Sequence, residues 1–472
     1  MKKVLLKAGS FFTAALFVAS SAIAQAPATP APTDTAEFKP HGKLWGYGFG
    51  DYAYKGNSDV PLNRGGSNQY TNVPINSNLF QWRRLYLGYN YEISKKFVAE
   101  FLLAAEDDWA GGVLGQPAAS VTVNTVTGTS TKVGLGTNGD VLLNNKFSPY
   151  VKLANLRWKN IFHNSDLVIG QAPTPSFAQG SALKEYARNT QTSEEVWGYR
   201  SIERTITDIR RTPSFDMGVA LQGTFDDAGN FGYDLMVGNG QSAKPENDAY
   251  KWYYGDVWAK FMNKKLVIDL YQDYQKLNWG VYVPGAKVNT ESLNGTRYND
   301  RSMTKLFVAY NTPKLTVGFE GFMNTLVGDV AVTGKDGNTY YRTTQALGLS
   351  FFVKGRITKD QLGFFARFDN YDPSGNLNNI VSEANTAKIA SFGVSQYDDM
   401  TKEMFGTIGI DYTPMKNVHI MPNVWINTYT SALDVNGANS AGTKYSSMNS
   451  EVTGIKGTDV AYRLTFYYIF GK

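Results

Sequence analysis

The stretch RRLYLGYNYEISKKFVAEF, Arg83 to Phe101, decides how the rest of the chain is read. From Arg84 onward its residues alternate. Leu85, Leu87, Tyr89 and Tyr91 share one face, and Arg84, Tyr86, Gly88 and Asn90 share the other, which is the two-residue period of a strand. Ile93 to Lys96 is a short polar turn. Beyond it Phe97, Ala99, Phe101 and Leu103 restore an apolar face and send Glu100 and Glu106 to the opposite one. An arginine on the lipid face near mid-membrane costs about 2–4 kcal/mol. The pattern therefore predicts apolar residues on lipid and Arg84 in a wet interior.

The same unit recurs along the chain. Short turns are read at Ile93 to Lys96, Ile161 to Asp166, Asp226 to Asn230, Met262 to Lys265, Thr312 to Lys314, Gly355 to Asp360 and Pro414 to Asn417, and long polar loops separate successive pairs. Seven turns join fourteen strands, and one more strand at each end makes sixteen. Short turns on one side and long loops on the other predict an all-β transmembrane antiparallel barrel, its short turns periplasmic and its loops external. Leu266, Ile268 and Leu270 send Asp269 inward, and Leu347, Leu349, Phe351 and Val353 share a lipid face. Leu362, Phe364 and Ala366 set Arg367 and Asp369 inward, and the run from Val460 through Tyr462, Leu464, Phe466, Tyr468 and Phe470 sets Arg463 inward. In the first strand, Gly42 to Tyr54, parity predicts Trp45, Tyr47 and Phe49 on lipid and Gly46, Gly48 and Gly50 inside. Of Trp252, Tyr253, Tyr254 and Trp258, at least half are expected in the aromatic girdle at the lipid interface.

Composition fits this reading. Aromatic residues make up 14% of 472 residues while mean hydropathy is only −0.31, as a greasy outside and a wet inside require. Lys2, Lys3 and Lys7, the apolar Phe11 to Ala19 and Ala22-Ile23-Ala24 form a secretory signal over residues 1–24, cleaved before Gln25. Residues 25–41, rich in Pro, Ala and Thr, read as a periplasmic leader, and 42–472 as the barrel domain. A Gram-negative outer membrane, with its lipid and lipopolysaccharide, is the expected site. The formal charge of +5 falls to +2 once the signal lysines leave, too weak to argue for nucleic acid. Cys is absent, and His41, His163 and His419 lie at the turn side without a nucleophile motif, so neither an enzyme nor a zinc site is expected. Asp369 to Asn379 and Gly334 to Asn338 have the oxygen-rich composition of calcium loops, but turns need the same residues. No cofactor is expected.

Two loops stand out by length, Asp108 to Pro149 and Pro173 to Pro213. In the first, TSTKVG reads as a strand fragment of an external hairpin. The second carries Lys184, Arg188, Arg200, Arg204, Arg210 and Arg211 against Glu185, Glu194, Glu195, Glu203 and Asp208. Pro173, Pro175 and Pro213 fix its exit and return, and it is expected to fold into the lumen as a constriction with opposed charges.

Asn155 to Gln171, Arg200 to Arg204 and Met217 to Val219 together resemble the phosphate-selective porin O and P family. Arg83 to Phe101 and FFARFDNYDP, Phe364 to Pro373, extend the likeness. The resemblance implies a homotrimeric porin passing anions, with Arg84, Arg157, Arg367 and the loop residues Arg200, Arg204, Arg210 and Arg211 as pore cations. Five acids nearly neutralise the six loop cations, which points to a general or moderately anion-selective channel rather than a strict phosphate channel. Glu203 and Asp208 would set the opposing side of the field, with Lys184, Arg188, Asp369 and Arg463 completing the charged lining. The rival readings are a channel for sugars or peptides and a loop-presenting adhesin.

Overall fold

Sixteen strands account for most of the chain in the computed structural model. They are β1 (His41–Ser58), β2 (Asn78–Glu92), β3 (Phe97–Glu106), β4 (Pro149–Phe162), β5 (Ser165–Pro173) and β6 (Phe215–Thr224). Next come β7 (Phe231–Gly238), β8 (Trp252–Phe261), β9 (Leu266–Asn278), β10 (Tyr298–Asn311) and β11 (Leu315–Gly334). The series ends with β12 (Thr339–Arg356), β13 (Leu362–Asp372), β14 (Thr401–Met415), β15 (Val418–Ser431) and β16 (Lys456–Phe470). The structure describes residues 38–58, 75–106, 120–124, 130–134, 149–177, 185–202, 204–210, 213–246, 249–278, 287–288, 298–334, 339–373, 375, 386–392, 401–431, 445–447, 450–452 and 456–471. The expected signal and most of the expected leader lie outside them.

Each strand pairs antiparallel with its predecessor, and β1 pairs with β16 from Gly46↔Phe470 to Ser58↔Asp459. The sheet therefore closes on itself with no free edge, as predicted. All seven short turns fall between paired strands. Positive φ is confined in several of them to Asn and neighbouring residues, Asn164, Met262, Asn263, Lys264 and Asn417. The fragment within TSTKVG pairs, residues 130–134 running antiparallel to 120–124.

Alternation sorts the side chains as the sequence requires on most strands. Leu85, Leu87, Phe101, Ile268, Leu347, Leu349, Phe351, Tyr462 and Leu464 are exposed on the outside. Glu100, Asp269, Arg367, Asp369 and Arg463 are buried on the inside.

The first strand is the exception, and its expected parity is wrong. Trp45 and Phe49 are 1% and 0% exposed, inside, while Leu44 and Tyr54 lie outside. Asp51 and Lys55 share parity with Trp45 and Phe49, and both are buried inside in ion pairs. Two charges outweigh three aromatics, because a ring is tolerated in the interior while a charge on the outer face is not. Gly46, Gly48 and Gly50 instead face outward beneath the rings of Phe470, Tyr468 and Phe466. A Cβ at Gly46 would overlap the Phe470 ring and the Tyr86 carbonyl oxygen. Strand β8 needs the same correction. Trp252, Tyr254 and Trp258 share parity with Asp256 and Lys260 and point inward, and only Tyr253 of the four is exposed outside.

Strand β2 holds one further irregularity. Phe49 pairs with Arg84 and Gly50 with Trp82, so Arg83 is an extra residue in a β-bulge. Both Arg83 and Arg84 consequently point inward. The break is visible in the spacing of outward residues, which steps by two from Phe80 to Trp82 and by three from Trp82 to Leu85.

Candidate functional site

The segment that leaves β5 turns at once into the barrel. Thr174 donates from its hydroxyl to the Pro213 carbonyl at 2.6 Å and from its amide to Ser214 at 3.2 Å, closing the neck. Helix α1 (Ser193–Trp197) follows, capped by Thr192, whose hydroxyl accepts from the Glu195 amide. It stops at Gly198, whose φ of 66° lets its amide reach the Glu194 carbonyl at 2.9 Å. Helix α2 (Ile206–Arg210) begins where the Thr205 hydroxyl accepts from the Asp208 amide and the wall carboxylate of Glu320 accepts from the Thr207 amide at 3.1 Å.

Apolar side chains anchor both helices to the inward wall. Val196, Trp197 and Ile202 are buried with Phe352, Phe365, Phe405 and Trp425, and the Trp197 indole meets the Phe352 and Phe365 rings edge-on. Ile206 is buried among Met236, Trp252, Tyr254 and Tyr271, which explains why the aromatics of β8 face inward. Each such side chain is worth about 1.5–3 kcal/mol when fully buried.

Wall cations hold the backbone. Lys305 donates to the Ser176 carbonyl at 3.0 Å, Lys354 to Trp197 at 3.0 Å, Arg463 to Ser201 at 3.0 Å and Arg367 to Arg204 at 2.6 Å. Arg83 donates to the Arg200 carbonyl. Arg83, Arg463, Arg367 and Lys305 are themselves paired with carboxylates, Lys305 with Asp269 at 3.6 Å. Asp51, fully buried, pairs with both Arg83 and Arg463 and accepts from the Thr465 hydroxyl at 2.6 Å, while Asp369 binds Arg367 through two bonds of 2.9 and 2.6 Å. Arg367, Asp369 and Arg463 thus hold the segment in place.

The remaining site residues fall into two groups. On the wall, Arg157 bridges Glu100 and Asp166, both at 3.2 Å, and Arg188 joins it on Asp166. Farther along, Arg84 and Lys152 share Glu106 with the Tyr86 hydroxyl, opposite Arg204 and Asp208, which approach each other at 3.8 Å. Burial raises the Asp208 carboxyl above its ordinary range, opposed by Arg204, Arg84 and Lys152. Three cations therefore meet two acids there. Lys184, Glu203, Arg211 and the side chain of Arg210 lie outside the described residues.

A cavity of about 480 Å³ opens between α1 and the short-turn ends of β1, β12 and β14 to β16. Arg200 reaches it with its guanidinium 5.3 and 5.7 Å from the centroids of the Tyr47 and Tyr467 rings, which meet each other edge-on. Glu194 lines it as well. Burial pushes that carboxyl up to about 7, with Arg200 opposing the rise and Asp208 and Glu195 adding to it. Sequence reasoning missed Arg83, Asp51, Lys152, Lys305 and Lys354. The bulge spacing marks Arg83, and the parity of Asp51 marks the wall it belongs to.

No family model and no curated protein matches the chain. Solved structures do. The outer-membrane channel DcaP of Acinetobacter baumannii aligns at 10% identity over 91% of this chain and 97% of its own, with a TM-score of 0.51. OmpT of Vibrio cholerae, expressed in the outer membrane, aligns at 10% identity over 92% and 99% with a TM-score of 0.48. The anion-selective porin from Comamonas acidovorans aligns at 10% identity over 92% and 100% with a TM-score of 0.47. The chain has the closed barrel fold of an outer-membrane channel, and at such identity the likeness reaches no further than the fold.

Proposed function

We propose that this protein is an outer-membrane porin through which small hydrophilic solutes diffuse passively, with a mild preference for anions. One observation carries the reading: a closed barrel with an apolar outside encloses a polar inside, and a folded segment of its own chain packs against that inner wall. Only a closed barrel satisfies every strand backbone group within hydrocarbon, and exposed Leu, Ile, Phe and Val on the outer face fit an acyl environment. The group Arg84, Lys152 and Arg204 against Glu106 and Asp208 supports the anion preference, because it keeps one positive charge in excess. Arg157 and Arg188 sit in acid-rich surroundings and add little. Strong phosphate selectivity, which the resemblance to the phosphate-selective family would imply, finds less support, since most interior arginines are engaged by carboxylates and carbonyls.

A Gram-negative outer membrane, export by a cleaved signal and a homotrimer complete the proposal, the trimer resting on that resemblance alone. The aromatic residues of β8 do not favour a sugar channel: Trp252 and Tyr254 pack with Ile206 and are 3% and 1% exposed. Reversal potential across reconstituted bilayers in a salt gradient tests the reading. A moderate anion preference that falls in Arg84→Gln/Arg204→Gln is expected, and a folded barrel that passes no ions would overturn it.

A further inference from the structure

The cavity beside α1 has an unusual charge inventory. Four acids and four cations line it, and most are already committed to one another. Lys43 pairs with Glu185 at 3.2 Å, Arg356 lies 3.9 Å from Asp411, Asp411 binds His419 at 2.9 Å, and Lys354 donates to the Trp197 carbonyl. Arg200 and Glu194 differ. Among the described residues no carboxylate pairs with the Arg200 guanidinium, and its Nε is buried without a hydrogen-bond partner. The Tyr47 and Tyr467 rings sit together beside it, and the guanidinium lines the cavity where a ligand would meet it. Among the described residues the Glu194 carboxylate has neither an ion pair nor a hydrogen bond, and the two groups sense each other electrostatically without touching.

The arrangement is a fixed, separated pair of opposite charges over an apolar floor formed by Met421 and Ile469. α1 and the left-handed turn at Gly198 hold it, together with the clamp from Arg83 on the Arg200 carbonyl. A lone anion satisfies one charge and leaves the other unmatched. A solute carrying both a carboxylate and an ammonium satisfies both, since a guanidinium edge suits a carboxylate and a bare carboxylate suits an ammonium. The volume lies within the range of small-molecule sites.

We propose that this cavity is a recognition subsite for zwitterionic solutes of the amino-acid and short-peptide class, with Arg200 receiving the carboxylate, Glu194 the ammonium, and Met421 and Ile469 an apolar side chain. The inference rests on the channel reading for its role in transport, but binding is measurable without conduction.

The test uses the full-length protein and three probes at mildly alkaline pH, where Glu194 is ionised. Leucine carries both charges, N-acetylleucine only the carboxylate, and 3-methylbutylamine only the ammonium. Binding is read by calorimetry in detergent and by block of ion current in bilayers. Leucine is expected to bind about tenfold more tightly than either single-charge probe. Arg200→Gln should erase its advantage over the amine, Glu194→Gln its advantage over the acetylated acid, and Arg200→Lys should restore part of the first. Equal binding of leucine and N-acetylleucine, or no binding by any probe to a folded barrel, would overturn the subsite. Calorimetric binding to a barrel that conducts nothing would uphold the subsite and sink the channel, and conduction without discrimination would do the reverse.

Discussion

Asp51→Asn isolates the clamp on the lumenal segment. Asp51 is fully buried, forms an ion pair with Arg83 at 2.6 Å, and accepts from Arg83 Nη2 at 3.4 Å, from Arg463 and from the Thr465 hydroxyl. Those two guanidiniums hold the carbonyls of Arg200 and Ser201, the stretch between α1 and α2. Asn keeps the shape and one acceptor but removes the charge. Two buried cations then lose the carboxylate they share, with the segment's carbonyls, the Phe49 ring 4.8 Å from Arg83 and the Trp425 ring 3.7 Å from Arg463 left beside them. Breaking a buried pair in this way costs about 3–5 kcal/mol. At about 1.4 kcal/mol per tenfold, the docked form of the segment loses roughly two to four orders of magnitude against detached forms. The barrel itself keeps its β1–β2 and β1–β16 ladders, so heat-modifiable mobility on gels should persist. Single-channel recordings should show larger or rapidly fluctuating conductance. Adding Arg463→Met removes one uncompensated cation, so the double variant should lie closer to the wild type than Asp51→Asn does. Wild-type conductance and noise from a folded Asp51→Asn barrel would refute the clamp.

Four further outcomes are expected. Deleting Arg83 removes a bulge residue without changing which way Trp82 and Arg84 point, so the barrel should assemble while conductance noise rises as in Asp51→Asn. Trp197→Ala takes the main anchor of α1 from the wall at a cost of about 3–5 kcal/mol, read as faster protease cleavage within the segment. Gly46→Leu forces a side chain into the Phe470 ring and the Tyr86 carbonyl, and overpacking of about 1–3 kcal/mol should lower the temperature at which the barrel unfolds on gels. As pH falls through about 7, Glu194 takes a proton and loses its negative charge beside Arg200, and protonation of Asp208, whose carboxyl burial also raises, acts in the same direction, so anion preference should rise. Glu185, Glu195 and Arg200 on the segment and Lys43, Lys354, Arg356, Asp411 and His419 on the wall face the same cavity. A reversal potential that keeps its full pH step in Glu194→Gln would assign the step to one of them.

Strand number, turn positions and most side-chain directions were legible because the outer face tolerates no charge. Every strand with an Arg, Lys, Asp or Glu near its middle declares its inside. The failures at β1 and β8 came from weighting aromatics above charges. Aromatic residues are ambiguous, since they suit an interfacial girdle and also an interior that has a helix to bind. Trp45 lies on Gly88 and donates to Asn90 at 2.7 Å inside the barrel, and Trp252 packs with Ile206. Asp51 and Lys55, or Asp256 and Lys260, would have decided both strands.

The candidate site was legible in place but not in role, for a reason that lies in the backbone. A segment folded into a barrel has carbonyls that no ladder can satisfy, because the strands around it spend their own donors on each other. Short helices leave part of the problem unsolved: Gly198 caps the Glu194 carbonyl and the Trp197 indole meets that of Ile202, but the carbonyls of Trp197, Arg200, Ser201 and Arg204 are met from the wall. Long cationic side chains on the wall are the donors with the reach to meet them, and carboxylates beside them keep the cations from being buried alone. Arg83, Arg367, Arg463, Lys305 and Lys354 follow this logic, each donating to a carbonyl of the segment. A sequence can show that an arginine points inward, but not whether it meets a solute or a carbonyl. Interior arginines therefore overstate the charge a solute meets, and the residues left to act on it are those whose partners fall short, Arg200 and Glu194 at the cavity and Arg84, Lys152 and Arg204 around Glu106 and Asp208.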